Sequence, residues 1–195
     1  MTRARGNYAK TADRRAAIIQ ASFEVFASVG YQRGSIKDIA DLIGMSRAGV
    51  QHHFPDKVQL LEAVLRLRDQ HAQELLAGKQ GIAFIRALVG VIDHNSSIPG
   101  LIELYSMLAA EAAPPKHPAH AYFATRNEFV LRGITEAFSA AQKDGDLVEG
   151  IDPRTAAVEH VALTEGLQLA WLYNHDINIT ASVRRHLQSL LAVQL

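Results

Sequence analysis

Apolar residues recur at helical spacing along nearly the whole chain, and this periodicity constrains the fold more than any other feature of the sequence. In the first such segment Ile19, Phe23, Phe26 and Val29 follow one another at intervals of three or four residues. That interval places them on one face of an α-helix. No segment shows the sustained alternation of apolar and polar residues that marks a half-buried strand. The sequence therefore predicts an all-α protein.

Glycine, proline and short polar stretches divide the periodic segments. Ser35 and Ser46 stand where helix N-caps are expected, Gly30 and Gly44 where helices end, and Pro55 where one cannot continue. About nine helices fit between these breaks. The predicted helices cover residues 11–29, 36–43, 47–54, 56–77, 81–96, 99–112, 119–143, 153–174 and 179–193.

Charge is distributed unevenly although the chain as a whole is neutral. Residues 1–57 hold nine Lys and Arg against five Asp and Glu, and the rest of the chain carries the matching acidic excess. Much of the positive charge lies in a basic N-terminal arm ahead of the first apolar periodicity: Arg3, Arg5, Lys10, Arg14 and Arg15. A basic head on an acidic body is the pattern expected if only the head meets a polyanion, although a solvated tail would look the same.

Composition points to the cytoplasm. The chain contains no cysteine, so disulfides, thiolate metal sites and cysteine nucleophiles are excluded. No apolar run approaches the roughly 18 residues that a membrane-spanning helix needs, and the N-terminus does not lead into an apolar core. We therefore expect a cytoplasmic protein without a membrane partner.

Three residues in the basic head have the spacing of a helix-turn-helix. Ala40 is small where a second helix would cross, Gly44 allows the positive φ of a tight turn, and Val50 can dock the second helix back. This arrangement turns the opposite face of the second helix outward, toward a DNA major groove. The candidates on that face are Arg47, Ala48, Gly49, Gln51, His52 and His53.

The segment AAIIQASFEVFASVGYQRGSIKDIADLIGMSRAGVQHHFPDKVQLL resembles the DNA-binding domain of the TetR family of bacterial transcription regulators. The residues that carry the resemblance, in order and spacing, are Ala21, Phe26, Gly30, Ser35, Ile39, Ala40, Gly44, Ser46, Gly49, His53, Phe54, Lys57 and Leu61. It implies a helix-turn-helix DNA-binding domain over residues 1–57 and a helical ligand-sensing and dimerisation domain over 58–195. It further implies a regulator, most commonly a repressor, that binds duplex DNA and is released by a small-molecule effector.

Within such a complex, the phosphate contacts are expected from Ser35, Lys37, Lys57 and the basic arm. Ser46 caps the recognition helix, and Arg47, Gln51 and His52 are expected to face bases. The family often carries aromatic residues where this chain has Gln51 and His52. Gln51 can bond the N6/N7 edge of adenine, and His52 can donate to phosphate or guanine, so the operator is expected to differ from common ones.

The resemblance also implies a homodimer formed by the last two helices of each subunit, which would bind a near-palindromic operator. Small residues and an apolar stripe in those helices permit it: Ala162, Gly166, Ala170, Val183, Leu187, Leu190 and Leu191. The alternative is that both sets complete the subunit's own core. Bulky or polar residues on otherwise apolar helices are the effector-pocket candidates: Phe84, His94, Leu101, Tyr105, Tyr122, Phe129, Gln168 and Trp171.

Two other functions compete with an effector-responsive regulator. One is an architectural DNA-binding protein without a ligand, and the other is a helical enzyme. Against the enzyme, the chain lacks a Gly-x-Ser-x-Gly elbow, a nucleotide-binding loop and a His-Glu-x-x-His motif, so we expect no catalytic residues. The adjacent His52 and His53 cannot place both rings on one helix face. No metal site and no cofactor are expected.

Overall fold

The computed structural model of the protein describes residues 3–98 and 100–195, with side chains from residue 11 onward. Over these residues the regular structure consists of nine helices, and no strand forms. The predicted all-α class is confirmed. The helices are α1 (Arg3–Arg33), α2 (Ile36–Leu42), α3 (Arg47–His53), α4 (Lys57–Leu76), α5 (Gly81–Ser97), α6 (Leu101–Glu111), α7 (His120–Asp144), α8 (Pro153–Trp171) and α9 (Ile179–Leu190).

The first helix is longer than the sequence predicted. Its backbone is helical from Arg3, whereas the prediction began the helix at Thr11 and left a basic arm before it. Apolar periodicity shows where a helix packs, not how far it continues into solvent, and this stretch contains no proline to stop it. The side chains of Arg3, Arg5 and Lys10 lie outside the described residues, so the phosphate role expected of them stays a prediction.

The predicted end of the first helix falls at a real discontinuity. Gly30 has φ 80° and ψ 158°, which interrupts α1 and leaves one further helical turn up to Arg33. Such a positive φ favours glycine, because a Cβ would be strained there. At position 34, in the following turn, packing rather than backbone conformation favours glycine. A Cβ on it would lie 2.9 Å from Val25 Cγ1 and 3.0 Å from Phe26 Cδ1.

The chain divides into two compact units, Met1–Arg68 and Asp69–Leu195. In the first unit, α1, α2, α3 and the start of α4 enclose a small apolar core that contains Ile18, Phe26, Ile39, Val50 and Phe54. The boundary between the units lies inside α4, which is continuous from Lys57 to Leu76. The functional boundary that the sequence predicted after Lys57 stays a prediction.

The second unit is built around α5, α7, α8 and α9. Its core centres on Phe138 of α7, which is fully buried together with Ile85 of α5 and Val183 of α9. Local signals set the helix starts: the Asp152 carboxylate accepts the Thr155 N–H ahead of α8, and the Asn178 side chain caps α9 in the same way. None of the helices searched in the described residues is both long enough and apolar enough to cross a bilayer.

Candidate nucleic-acid interface

The predicted helix-turn-helix is present in the first unit. Ala40 is 1% exposed and Val50 is fully buried, while Gly44 takes a φ of 64° in the turn between α2 and α3. The turn is closed by Met45 N–H, which donates to the Ala40 carbonyl at 2.9 Å. The small residue, the positive φ and the docking residue therefore occupy the three positions that the spacing assigned to them.

Serine caps fix where the two helices begin. Ser35 and Asp38 form a capping box at α2, in which Ser35 Oγ accepts Asp38 N–H and the Asp38 side chain accepts Ser35 N–H. Ser46 Oγ accepts Gly49 N–H at 3.0 Å at the start of α3. Because accepting that bond leaves the Ser46 hydroxyl proton free, this exposed side chain can still donate to a phosphate.

The outward face of α3 carries hydrogen-bonding side chains. Arg47, Ala48 and His52 are exposed, and Gly49 and Gln51 are partly exposed. The Gln51 amide donates to the Pro55 carbonyl over a long 3.4 Å, which leaves its oxygen and one N–H available. A guanidinium, an amide and an imidazole thus project from one short helix, and all three groups can read base edges in a major groove.

His53 has a different environment from the reading residues. Its ring lies edge-on to His52, with 5.3 Å between centroids. Desolvation, followed by the charges of His52, Arg15 and Arg14, lowers the pKa of His53. The imidazole is therefore neutral near pH 7. The His53 side chain is partly buried, and its expected place on the DNA-facing surface stays a prediction.

Lys57 does not occupy the position expected of a phosphate ligand. Its ammonium donates to the carbonyls of Tyr31 at 2.6 Å, Gln32 at 3.2 Å and Gly34 at 3.0 Å, and lies 4.4 Å from the Tyr31 ring centroid. An ammonium has three N–H donors, so none remains for a phosphate. The predicted phosphate contact of Lys57 would require at least one of these three bonds to break, and it stays a prediction.

Ser35 and Lys37 differ in how free they are to bind phosphate. The Ser35 hydroxyl proton is donated to Asp38 Oδ2 at 2.7 Å, so its predicted phosphate bond would have to break the capping box. Lys37 pairs with Asp41 at 3.1 Å, but the two side chains are 75% and 63% exposed. Such an exposed pair is weak, and Lys37 can exchange it for a phosphate.

An open groove of about 500 Å³ lies between α1 and α2 in the first unit, and its lining residues all belong to these two helices. Its lining includes three carboxylates, Glu24, Asp38 and Asp41, beside Val25 and Leu42. A surface with this negative charge repels a polyanion. The first unit therefore has an acidic groove separate from the side chains that the outward face of α3 presents.

Two pocket candidates meet in a polar network inside the second unit. Tyr122 Oη donates to Asp69 Oδ2 at 2.5 Å, and Arg126 Nε donates to Asp69 Oδ1 at 2.9 Å. Arg126 Nη1 also donates to Tyr105 Oη at 2.6 Å, so α4, α6 and α7 are joined through one guanidinium. Asp69 and Arg126 were missed in the sequence, because charged residues on amphipathic helices normally lie in solvent.

The other pocket candidates are scattered. Leu101 and Gln168 are buried, Phe84 is partly buried beside Gly133, and His94 stacks on His71 with 3.5 Å between ring centroids. Trp171 is half-buried with its ring edge-on to His175 at 4.2 Å. Phe129 is 53% exposed, so its predicted place in an internal pocket is wrong. A helical period does not show by itself how much of an apolar stripe is covered.

The predicted dimer residues fall into two groups. Ala162, Gly166 and Ala170 are exposed on α8, as an interface requires. Val183 and Leu187 are fully buried and Leu191 is 5% exposed, so these three pack within the core of their own chain. Their assignment to a dimer interface is wrong, and the alternative, that they complete the subunit core, holds for them. Leu190 is half-buried.

A tight helix pair with an outward, hydrogen-bonding second helix defines a helix-turn-helix DNA-binding protein of the all-α class. Residues 18–64 match the family described as bacterial regulatory proteins, tetR family. That match spans the end of α1, the helix-turn-helix and the first part of α4. Residues 18–64 therefore form a DNA-binding domain of the TetR type, and the chain is similar to DNA-binding transcriptional regulators of that family.

Comparisons over longer stretches agree with this family. The chain is 27% identical to the HTH-type transcriptional regulator TtgR of Pseudomonas putida, over 83% of this chain and 81% of TtgR. Its fold resembles that of SmeT of Stenotrophomonas maltophilia in complex with triclosan, with a TM-score of 0.76 and 21% identity over 90% of this chain and 88% of SmeT. It also resembles a transcriptional regulator from Saccharomonospora viridis in complex with choline, with a TM-score of 0.71 and 21% identity over 93% of this chain and all of that one.

Proposed function

We propose that this chain is a cytoplasmic repressor that binds an inverted-repeat operator as a homodimer and leaves it when a small molecule binds the helical body. The observation that carries the DNA-binding part is the outward face of α3, where Arg47, Gln51 and His52 project. We assign DNA binding to residues 1–57 and effector binding and dimerisation to 58–195. A dimer would present two recognition helices about 34–36 Å apart, at successive major grooves.

Selection of bound sequences from random duplex DNA tests this proposal directly. The expected product is an inverted repeat whose half-sites are separated by about one helical turn. An asymmetric site would argue against the homodimer. Failure to enrich any sequence, together with no binding in dilute salt, would refute operator recognition.

Gln51 offers the sharpest test of base reading. Gln51→Ala should cost about 1–3 kcal/mol against the selected operator, with the loss confined to one position in each half-site. Titration against a set of base-substituted operators measures this. A loss of the same size on every operator would show that Gln51 does not read a base.

The homodimer is supported by an unpartnered apolar stripe on α8. Val158 and Leu169 are 44% and 52% exposed, and they share the exposed surface of α8 with Ala162 and Gly166. Small residues on this face allow a second helix to approach closely. We expect Leu169→Glu to yield monomers in sedimentation equilibrium. Val148→Glu, at an exposed apolar residue outside α8, is the matched control and should remain dimeric. Wild-type monomers at micromolar concentration would refute the dimer.

Effector binding is supported by the partly buried polar network that joins Asp69, Tyr105, Tyr122 and Arg126. A ligand that inserts beside these side chains would change how α4 is held, and α4 begins at Lys57 in the DNA-binding residues. A coupling of about 1–3 kcal/mol would change operator affinity about 5- to 150-fold. The complexes of SmeT with triclosan and of the S. viridis regulator with choline concern related folds and suggest the first probes.

The test is whether triclosan, choline or any compound of a wider metabolite panel releases the protein from a fluorescently labelled operator. Compounds that do so are then titrated while the intrinsic fluorescence of Trp171 is measured. Release by a compound that also raises the melting temperature supports an effector. An operator complex that no compound weakens would favour a ligand-independent architectural protein instead.

A further inference from the structure

Two cations of the basic head make intramolecular contacts next to the recognition helix. Arg15 of α1 donates from Nη1 to the His53 carbonyl at 2.7 Å, and its guanidinium lies 4.2 Å from the centroid of the Phe54 ring. Phe54 is the C-cap of α3 and is 2% exposed. Arg15 therefore hydrogen-bonds His53, the last residue of the recognition helix, and contacts the ring of Phe54, which follows it.

Lys57 holds the chain three residues further on. Its ammonium is shared among the carbonyls of Tyr31, Gln32 and Gly34, at the end of α1. The segment between Phe54 and Lys57 therefore contacts α1 at both ends, through Arg15 at Phe54 and through the Tyr31 and Gln32 carbonyls at Lys57. Both contacts span long stretches of sequence, 38 residues for Arg15 and 23 to 26 for Lys57.

The recognition helix α3 depends on such tertiary contacts for its stability because it is short. α3 has seven residues, so it consists of about two turns and its last carbonyls have no partner within the helix. The Val50 carbonyl is capped by Phe54 N–H, and the His53 carbonyl receives the Arg15 guanidinium. A cation at this end also complements the negative pole of the helix dipole.

We propose that Arg15 and Lys57 are positioning residues: they set the pose of the recognition helix and neutralise no phosphate. The proposal rests on α3 being the helix that reads DNA. It divides the positive charges of the head into cations held by intramolecular contacts and cations that remain available for DNA phosphates. Arg14 and Lys37 belong to the second group: in the part of the chain that the structure describes, Arg14 makes no side-chain hydrogen bond or ion pair, and Lys37 has only its weak pair with Asp41.

Salt dependence distinguishes the two roles. Each phosphate that a protein neutralises contributes about 0.9 to the slope of log K against log salt concentration. A positioning residue contributes nothing to that slope, yet its loss weakens the fit to base edges. We therefore compare Arg15→Gln with Arg14→Gln, and Lys57→Met with Lys37→Met. Each variant is titrated on the selected operator and on a scrambled duplex between about 50 and about 200 mM salt.

The expected result is different for the two members of each pair. Arg15→Gln and Lys57→Met should lower affinity for the selected operator about tenfold, leave affinity for the scrambled duplex unchanged, and keep the wild-type slope. Arg14→Gln and Lys37→Met should weaken binding to both duplexes equally and reduce the slope by about 1. A reduced slope for Arg15→Gln or Lys57→Met, with equal losses on both duplexes, would overturn the proposal.

A second measurement covers the case in which Lys57→Met does not fold. Arg15 is exposed, so its replacement leaves the core intact, and amide hydrogen exchange of residues 51–54 should accelerate in Arg15→Gln but not in Arg14→Gln. Arg15→Lys, which keeps a donor, should restore part of the protection. Unchanged exchange in Arg15→Gln would contradict positioning. If the wild-type protein selects no operator, the proposed function itself is refuted. If it selects an operator but the salt slopes of the Arg15 and Lys57 variants differ from those expected, only the positioning roles of these two residues are refuted.

Discussion

Acidification should destabilise this protein through one buried imidazole. His160 of α8 is 3% exposed and faces His186 of α9, with 5.9 Å between ring centroids and 11° between the planes. Within the described residues its Nδ1 has no hydrogen-bond partner. Burial first, and the neighbouring His186 second, lower the pKa of His160 from the usual 6.5 to about 4. Burial also lowers the pKa of His186, and the nearby carboxylate of Glu159 offsets only part of that effect.

The size of this destabilisation follows from the pKa values of His160 in the unfolded and the folded chain. The unfolded chain binds a proton at this residue below pH 6.5, whereas the folded chain binds it only below about 4. The contribution of His160 to the free energy of unfolding therefore falls as pH drops from 6.5 to about 4 and is constant below that. At about 1.36 kcal/mol per pH unit, the loss from His160 is about 3 kcal/mol. The free energy of unfolding of a typical domain is only about 5–15 kcal/mol, so a loss of this size is large.

Urea unfolding at about pH 7, 5.5 and 4.5, followed by circular dichroism, measures this loss. Other groups also titrate in this range, so the informative quantity is the difference between wild type and His160→Gln. The variant is expected to be less stable at pH 7 but to lose about 2.5 kcal/mol less than the wild type between pH 7 and pH 4.5. His175→Gln, at an exposed histidine, is the control and should keep the wild-type pH dependence. Parallel pH profiles for wild type and His160→Gln would refute the reasoning.

Three further substitutions test the packing and the caps by urea unfolding at pH 7. Gly34→Ala should cost roughly 1–3 kcal/mol, because its Cβ would overlap two packed side chains, whereas Gly90→Ala, a helical position with no atom within 4 Å, should be neutral or stabilise by up to about 1 kcal/mol. Equal effects at the two glycines would contradict the packing argument. Asp152→Ala should cost about 1 kcal/mol through loss of the α8 cap, and an unchanged midpoint would show that the cap contributes nothing. Asp69→Asn leaves the Arg126 charge unpaired where both side chains are only about one-fifth exposed, and should cost roughly 2 kcal/mol; a gain in stability would argue that the network is strained.

The helices and the turn of the helix-turn-helix were predictable because their causes are local. Gly44 and the Ser46 cap act within a few residues, and apolar periodicity marks the face that packs. Such signals survive in a single sequence whatever the rest of the chain does. For the same reason they led to the right fold class and the right outward face of α3.

The errors came from contacts between residues far apart in the chain. For Lys57, the sequence did not reveal that three carbonyls from 23 to 26 residues earlier surround its ammonium. Val183 and Leu187 form an apolar stripe, but a stripe does not reveal whether its partner belongs to the same chain or to a second copy. The network around Arg126 likewise depends on α4, α6 and α7 meeting in space.

The course of α4 has a consequence for anyone who builds hybrids from this regulator and its relatives. The boundary between the compact units lies inside an unbroken helix, not in a loop that could absorb a change of length. One residue added or removed there would turn every later side chain of the helix by about 100° about its axis. Splices in this region must therefore keep the register, or change it by whole turns, if the downstream half is to present the same stripe of side chains.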